Sequence, residues 1–162
     1  MSSAQHNLSH VHDGEIPSAK EMHFGIVVSE WNTEITSKLL TGACNALLKY
    51  EAKEKNIIVK WVPGSFELPL GAQLVADSHK VDAVICLGCI IQGETRHFDF
   101  ICNAVSTGIM RLNLEYSLPF IFGVLTPNTM QQAQDRAGGR FGNKGDEAAT
   151  SAIKMVAMQQ NI

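Results

Sequence analysis

Four short runs of apolar and β-branched residues, Phe24 to Val28, Ile57 to Val62, Ala83 to Leu87 and Phe120 to Leu125, punctuate the chain at wide intervals. Runs of this length without polar alternation predict strands buried on both faces. Between them the period changes. Ile35, Leu39, Leu40, Ala43, Ala46, Leu47 and Tyr50 fall on one stripe of an α-helix. Pro69 suits the first turn of a second helix, which Leu70, Leu74 and Val75 continue to about Asp77. Phe98, Ile101, Val105, Ile109 and Leu112 give a third stripe, ended before Pro119. A fourth helix opens near Thr129, and a fifth runs from about Asp146 to Met158. Its first turn carries Asp146 and Glu147, where the helix dipole favours negative charge, and Ala148, Ala149, Ala152 and Ala157 permit close packing.

Strands joined by crossovers long enough to hold a helix must run parallel, because a tight turn can only reverse the chain. The fold class is therefore α/β: a three-layer sandwich with a four-stranded parallel sheet and helices on both faces. In the flavodoxin-like strand order 2-1-3-4 a crevice opens at the carboxyl ends of strands 1 and 3, where the order reverses. The segments that leave those strands are Ser29-Glu30-Trp31-Asn32 and Gly88-Cys89-Ile90-Ile91-Gln92-Gly93-Glu94-Thr95-Arg96-His97.

At 162 residues, 45% of them hydrophobic, the chain suits one well-buried domain. Residues 1–21 form a polar arm without periodicity, and residues 22–162 form the single domain. With 13 Lys and Arg against 16 Asp and Glu, the net charge of -3 supplies no field to draw nucleic acid or an acidic membrane surface. No apolar run approaches the ~20 residues of a membrane span. The arm lacks the pattern of a secretion signal, and its His6, His10 and His12 invite only adventitious metal binding. Cysteines at 44, 86, 89 and 102 read as reduced thiols in a chain that needs no staples, so a cytoplasmic protein is expected. Cys86 and Cys89 have the C-x-x-C spacing, but no second pair accompanies them, and in a strand they point to opposite faces. No metal site is expected.

The segment from Gly88 to His97 leaves a strand, uses two glycines and enters a helix, so its backbone N–H groups are free to face an anion such as phosphate. The same pattern also serves as a plain turn. Glu94-Thr95 stands where a P-loop has Lys-Ser or Lys-Thr, and Gly-x-Gly-x-x-Gly is absent, which removes ATP and dinucleotide readings. His97 lies at the start of that helix and is the candidate proton carrier; the alternative is an exposed surface histidine. Arg136 and Lys144 flank the turn Gly138-Gly139-Arg140-Phe141-Gly142 and are either phosphate partners or solvated cations at helix ends. Trp31, with Asn32 beside it, and Gly64-Ser65-Phe66-Glu67 after strand 2 combine an aromatic face, a carboxylate and exposed amides. Such a set holds a flat, donor-rich heterocycle.

Several blocks together resemble the 6,7-dimethyl-8-ribityllumazine synthase family: Phe24-Gly25-Ile26-Val27-Val28 with Trp31-Asn32, Val62 to Pro69, Leu87 to Asp99, Pro119 to Thr126, and Arg136-Ala137-Gly138 with Gly142-Asn143-Lys144-Gly145. The resemblance spans residues 22 to 158. It implies condensation of 5-amino-6-(D-ribitylamino)uracil with 3,4-dihydroxy-2-butanone 4-phosphate, releasing phosphate and water, in the penultimate step of riboflavin synthesis, without metal or cofactor. Carried over by position, Trp31 stacks on the pyrimidine, Ser65, Phe66 and Glu67 hold its ring and ribityl chain, and Cys89, Ile90 and Ile91 line the uracil edge. Glu94 and Thr95 bind the butanone phosphate with Arg136, and His97 carries protons. Phe122 closes the pocket from a neighbouring subunit, which also contributes Arg136 and Lys144.

Trp31, Cys89 and Gln92 depart from the family's commonest residues, Phe, a small residue and a basic one, at these positions. The resemblance also implies a homo-pentamer. The short turn between Arg136 and Lys144 lacks the insertion associated with isolated pentamers, so an icosahedral shell is expected, with the polar arm lying along an adjacent subunit. Two rival readings remain. A phospho-receiver domain needs an Asp at the end of strand 3, where this chain has Leu87-Gly88. A catalytically idle flavin- or lumazine-binding shell protein is disfavoured by the presence of both His97 and Arg136.

Overall fold

The computed structural model describes residues 16–162; the three arm histidines and the arm's course up to residue 15 lie outside the described residues. Strands β1 (Phe24–Ser29), β2 (Ile57–Val62), β3 (Ala83–Cys89) and β4 (Phe120–Leu125) form one sheet in the order β2-β1-β3-β4, with every pair parallel. Phe24 stands beside Ile57 on one side and Ala83 on the other, and Val84 beside Phe120.

Alternation along each strand divides the core into two layers. Phe24, Ile26, Val28, Ile85 and Leu87 face α1 (Thr33–Lys49) and α5 (Lys144–Gln160), packing against Ile35, Leu39, Leu47, Ala149 and Ile153. Val27, Val84, Cys86 and Val124 face α2 (Leu68–Ser78) and α3 (His97–Tyr116), packing against Leu68, Ala72, Val75, Val105 and Ile109. Cys86 and Cys89 thus belong to opposite layers, as the C-x-x-C spacing in a strand requires, and all four cysteines are unbridged.

Burial on both faces fails at the two edge strands. β2 has Lys60 and Trp61 exposed and its other residues half-buried, and β4, at the opposite edge, has Ile121 and Phe122 half-buried. Lys60 is the one charged residue in the four strands, and it falls where the edge lets it reach solvent.

α1 and α5 pack very closely. A Cβ at Gly145 would overlap the carbonyl oxygen of Leu39, so this contact admits glycine alone. Asn143 caps α5, its Oδ1 accepting from Gly145 N at 2.8 Å, which starts the helix two residues before Asp146. Thr129 caps α4 (Met130–Arg136) in the same way through Gln132 N at 3.2 Å. The glycine-rich turn forms a small hairpin, β5 (Ala137–Gly139) and β6 (Gly142–Asn143), in which Gly138 and Gly142 take φ of 99° and 82°. Ahead of β1, Ala19 is fully buried and its N–H donates to Tyr50 O at 2.7 Å. Among the described residues, no helix is long and apolar enough to cross a membrane.

Candidate active site

The largest concentration of predicted site residues lies at the carboxyl ends of β1 and β3, where the strand order reverses. A cleft of about 350 Å³ opens there. It is lined by Trp31, Ser65, Phe66, Glu67, Cys89, Ile90, Ile91, Thr95 and His97, all of them expected. Asn32, Gly64, Gly93, Phe98 and Ile101 also line it. Phe98 and Ile101 belong to the apolar stripe of α3, and Ile101 packs against the core layer as well as lining the cleft. They follow His97 on the first turns of α3, so the face that carries the imidazole into the cleft carries them with it.

Each wall has a local cause. Trp31 is 73% exposed, yet its backbone is pinned: its N–H donates to Pro63 O at 3.1 Å and its carbonyl accepts from Ser29 Oγ at 3.1 Å. Ser65 opens a single 3-10 turn, Ser65–Glu67, that leads into α2. That turn leaves Phe66 exposed and Ser65 buried, with Ser65 Oγ the one buried side-chain polar atom among the described residues that lacks a partner. Ser65 lines the cleft, and a rotation of its side chain would bring this unpartnered hydroxyl to a ligand hydroxyl or carbonyl. Gly88 makes room for that side chain, since a Cβ there would come within 2.6 Å of Ser65 Oγ and 2.9 Å of Leu68 Cδ1.

Cys89 is a wall and no nucleophile: burial pushes its thiol up to about 12, leaving no thiolate at neutral pH. Past it, Ile90 N–H donates to Leu125 O at 2.8 Å and Gln92 N–H to Pro127 O at 2.9 Å. These bonds hold the loop to the chain leaving β4. The next three N–H groups, of Gly93, Glu94 and Thr95, meet no protein acceptor among the described residues, and Gly93 faces open space. His97 follows as the exposed first residue of α3, its N–H directed at Thr95 Oγ at 3.4 Å. Unpaired amides at the start of a helix, with an accessible imidazole beside them, suit an anionic leaving group and a proton carrier.

Three predicted residues, Phe122, Arg136 and Glu94, are not in this cleft. Phe122 is half-buried on β4 against the α2–α3 layer. Arg136, at the end of α4, lies under the hairpin, where its Nη1 donates to Phe141 O at 2.6 Å and its Nη2 meets Glu147 Oε1 at 2.6 Å. Glu94 sits on the adjoining loop and does not line the cleft. Arg136 and Lys144 are not the solvated cations of the plain reading. One carboxylate, Glu147, holds both, with Lys144 Nζ 3.2 Å from its second oxygen, and the three side chains are 20%, 30% and 15% exposed. The sequence placed Glu147 only in a helix's first turn; its role as the shared anion depends on the hairpin's fold.

Taken together, the cleft offers a flat aromatic platform, an apolar wall, a buried hydroxyl, a carboxylate, free amides and an imidazole. Among the described residues no group of His, Cys, Asp and Glu is arranged to hold a metal ion.

Comparison with known proteins agrees with this geometry. The model of the family described as 6,7-dimethyl-8-ribityllumazine synthase matches residues 21–160. The chain is 62% identical over 157 residues to the 6,7-dimethyl-8-ribityllumazine synthase of Cytophaga hutchinsonii, covering 97% of this chain and 98% of that protein. It is 59% identical over 156 residues to that of Parabacteroides distasonis, covering 96% and 98%, and 54% identical over 162 residues to that of Phocaeicola vulgatus, covering 100% and 96%. With the match running nearly end to end, the chain belongs to the 6,7-dimethyl-8-ribityllumazine synthase family.

Proposed function

We propose that the protein condenses 5-amino-6-(D-ribitylamino)uracil with 3,4-dihydroxy-2-butanone 4-phosphate to form 6,7-dimethyl-8-ribityllumazine, releasing phosphate and water. The observation that carries this reading is the juxtaposition, in one cleft, of the Trp31 platform, the orphan Ser65 hydroxyl, and His97 beside free backbone amides. The uracil stacks on Trp31 with its edge along Cys89, Ile90 and Ile91, while Ser65, Phe66 and Glu67 receive the ring and the ribityl hydroxyls. The phosphate binds the amides of Glu94 and Thr95. Schiff-base formation, phosphate elimination, tautomerisation and ring closure each move a proton, and His97 stands where one imidazole can serve several of them. Holding two reactive substrates together supplies much of the acceleration.

A second copy completes the site. Phe122 and Arg136, which stand outside the cleft of their own chain, serve a neighbour's in this reading, with Glu147 holding the Arg136 guanidinium in place. The apolar side chains of Phe66, Leu70, Leu74, Phe100, Met110 and Leu114 are all exposed in the isolated chain, a surface that assembly would cover. The arrangement proposed is a pentamer, closing further into an icosahedral shell, in the cytoplasm. The test of the activity is to mix purified protein with both substrates and follow lumazine absorbance. Formation above the uncatalysed background supports the reading; saturable lumazine binding without turnover would make the protein an idle binder instead.

A further inference from the structure

Asn32 precedes α1, where an asparagine ordinarily turns its side chain onto the free N–H groups of the helix's first turn. Here it does not: the side chain makes no cap bond, although the Asn32 carbonyl accepts from Ile35 N at 2.8 Å and Thr36 N at 3.1 Å. Its backbone sits in the left-handed region, φ 60° and ψ 43°, one of only three non-glycine positive-φ residues described. The side chain instead crosses the floor of the cleft, where Nδ2 donates to the carbonyl of Cys89 at 2.9 Å. A residue that gives up its local cap and adopts an uncommon backbone is held there by something else, and such departures concentrate at working sites.

We propose that Asn32 is a positioning residue, which sets the distance between the Trp31 platform and the Cys89–Ile91 wall by tying the exit of β1 to the exit of β3. The proposal rests on the reading of the cleft as the ribitylaminouracil site. The geometry is specific to that task. β1 and β3 are paired in register only as far as Val28 and Leu87, so beyond those residues the sheet no longer fixes how far apart the two exits stand. The Asn32 amide is the bond that spans the gap. The left-handed turn also directs the chain so that Trp31, one residue earlier, faces the cleft while its own peptide groups stay bonded to Pro63 and Ser29. A gap fixed in this way fits one flat ring between platform and wall, without a rearrangement on binding.

Two variants test it. Asn32→Gly keeps the left-handed turn without steric cost and removes the tie. Asn32→Asp keeps shape and tolerance of the turn but has no N–H to donate. Both are made in the full-length protein, with Trp61→Phe as background so that Trp31 is the only indole. The readouts are KM for each substrate, kcat, thermal unfolding, and quenching of Trp31 emission by added 6,7-dimethyl-8-ribityllumazine. Loss of one hydrogen bond that orders the site is expected to raise KM for the ribitylaminouracil and the half-quenching concentration by roughly tenfold, leaving KM for the butanone phosphate unchanged. Unchanged values in both variants, or equal changes for both substrates that track a lowered unfolding temperature, would overturn the positioning role. In a wild type that formed no lumazine the functional reading would fall, while the quench titration would still decide for or against Asn32.

Discussion

Replacing Trp31 by alanine separates what this residue does for the fold from what it does for the ligand. The indole is 73% exposed, so about a quarter of its surface, on the order of 50 Å², is buried in the free chain. At ~25 cal/mol per Å² that area contributes about 1 kcal/mol to stability, and the pinned backbone beneath it stays intact in the variant. Stacking on a flat heterocycle is another matter, worth ~1–3 kcal/mol per ring, or roughly five- to 150-fold in affinity. Trp31→Ala should therefore lower unfolding stability by no more than about 1 kcal/mol in a urea titration. Calorimetric affinity for 6,7-dimethyl-8-ribityllumazine should fall by one to two orders of magnitude. Trp31→Phe should recover most of the loss, because the platform persists with a smaller face. Undiminished affinity in Trp31→Ala, or a stability loss large enough to account for weaker binding, would refute the stacking assignment.

His97→Ala should slow turnover by ~10²–10⁴ without abolishing it, since proximity of the substrates survives; steady-state kinetics at saturating substrate measures this, and complete loss with intact binding would mean the imidazole carries more than proton transfer. Gly145→Ala must push α5 off the Leu39 carbonyl, and should cost about 3 kcal/mol or more of stability, read as a lowered urea midpoint. Glu147→Ala leaves Arg136 and Lys144 partly buried without their shared anion and should cost about 1–3 kcal/mol, again by urea unfolding. Burial pushes the Cys86 and Cys89 thiols up to about 12 from an ordinary value of 9.0. The unfolded chain therefore releases these protons first, and the contribution is fully present below pH 9 and is lost as pH rises toward 12. Unfolding midpoints in that window should fall with pH more steeply in the wild type than in Cys86→Ala.

The sheet and its five helices were legible because each element carries its own period, and the crossovers left no other pairing than parallel. The cleft was legible as well. The strand order alone directs attention to the exits of β1 and β3, and nine of the residues named from sequence line one cavity there. What the sequence withheld depended on distant partners. The apolar run of β2 suggested a strand buried on both faces, although Lys60 within it and its end position in the order 2-1-3-4 both mark an edge. Phe98 and Ile101 share a helical stripe with core residues and also line the cleft, with Ile101 packing against the α2–α3 layer as well. Asn32 reads from sequence as a neighbour of Trp31 in the heterocycle-holding set, and its acceptor, the Cys89 carbonyl 57 residues away, is brought to it only by the fold. Arg136 and Lys144 look like free cations until the hairpin brings Glu147 between them. For Asn32, Arg136 and Lys144 the missing information is a tertiary neighbour, which no local pattern encodes.

The central claim is a cleft whose imidazole comes from one protomer and whose Arg136 comes from the next, and mixed assemblies test it most directly. His97→Ala and Arg136→Ala protomers, each impaired alone, are co-expressed in equal amounts so that they assemble together, and lumazine formation per site is measured. Sites shared between protomers pair an intact His97 with an intact Arg136 in about a quarter of cases, so activity should recover to about that fraction of wild type. Activity no higher than the average of the two parent variants would place both residues in the same protomer's site and contradict the account.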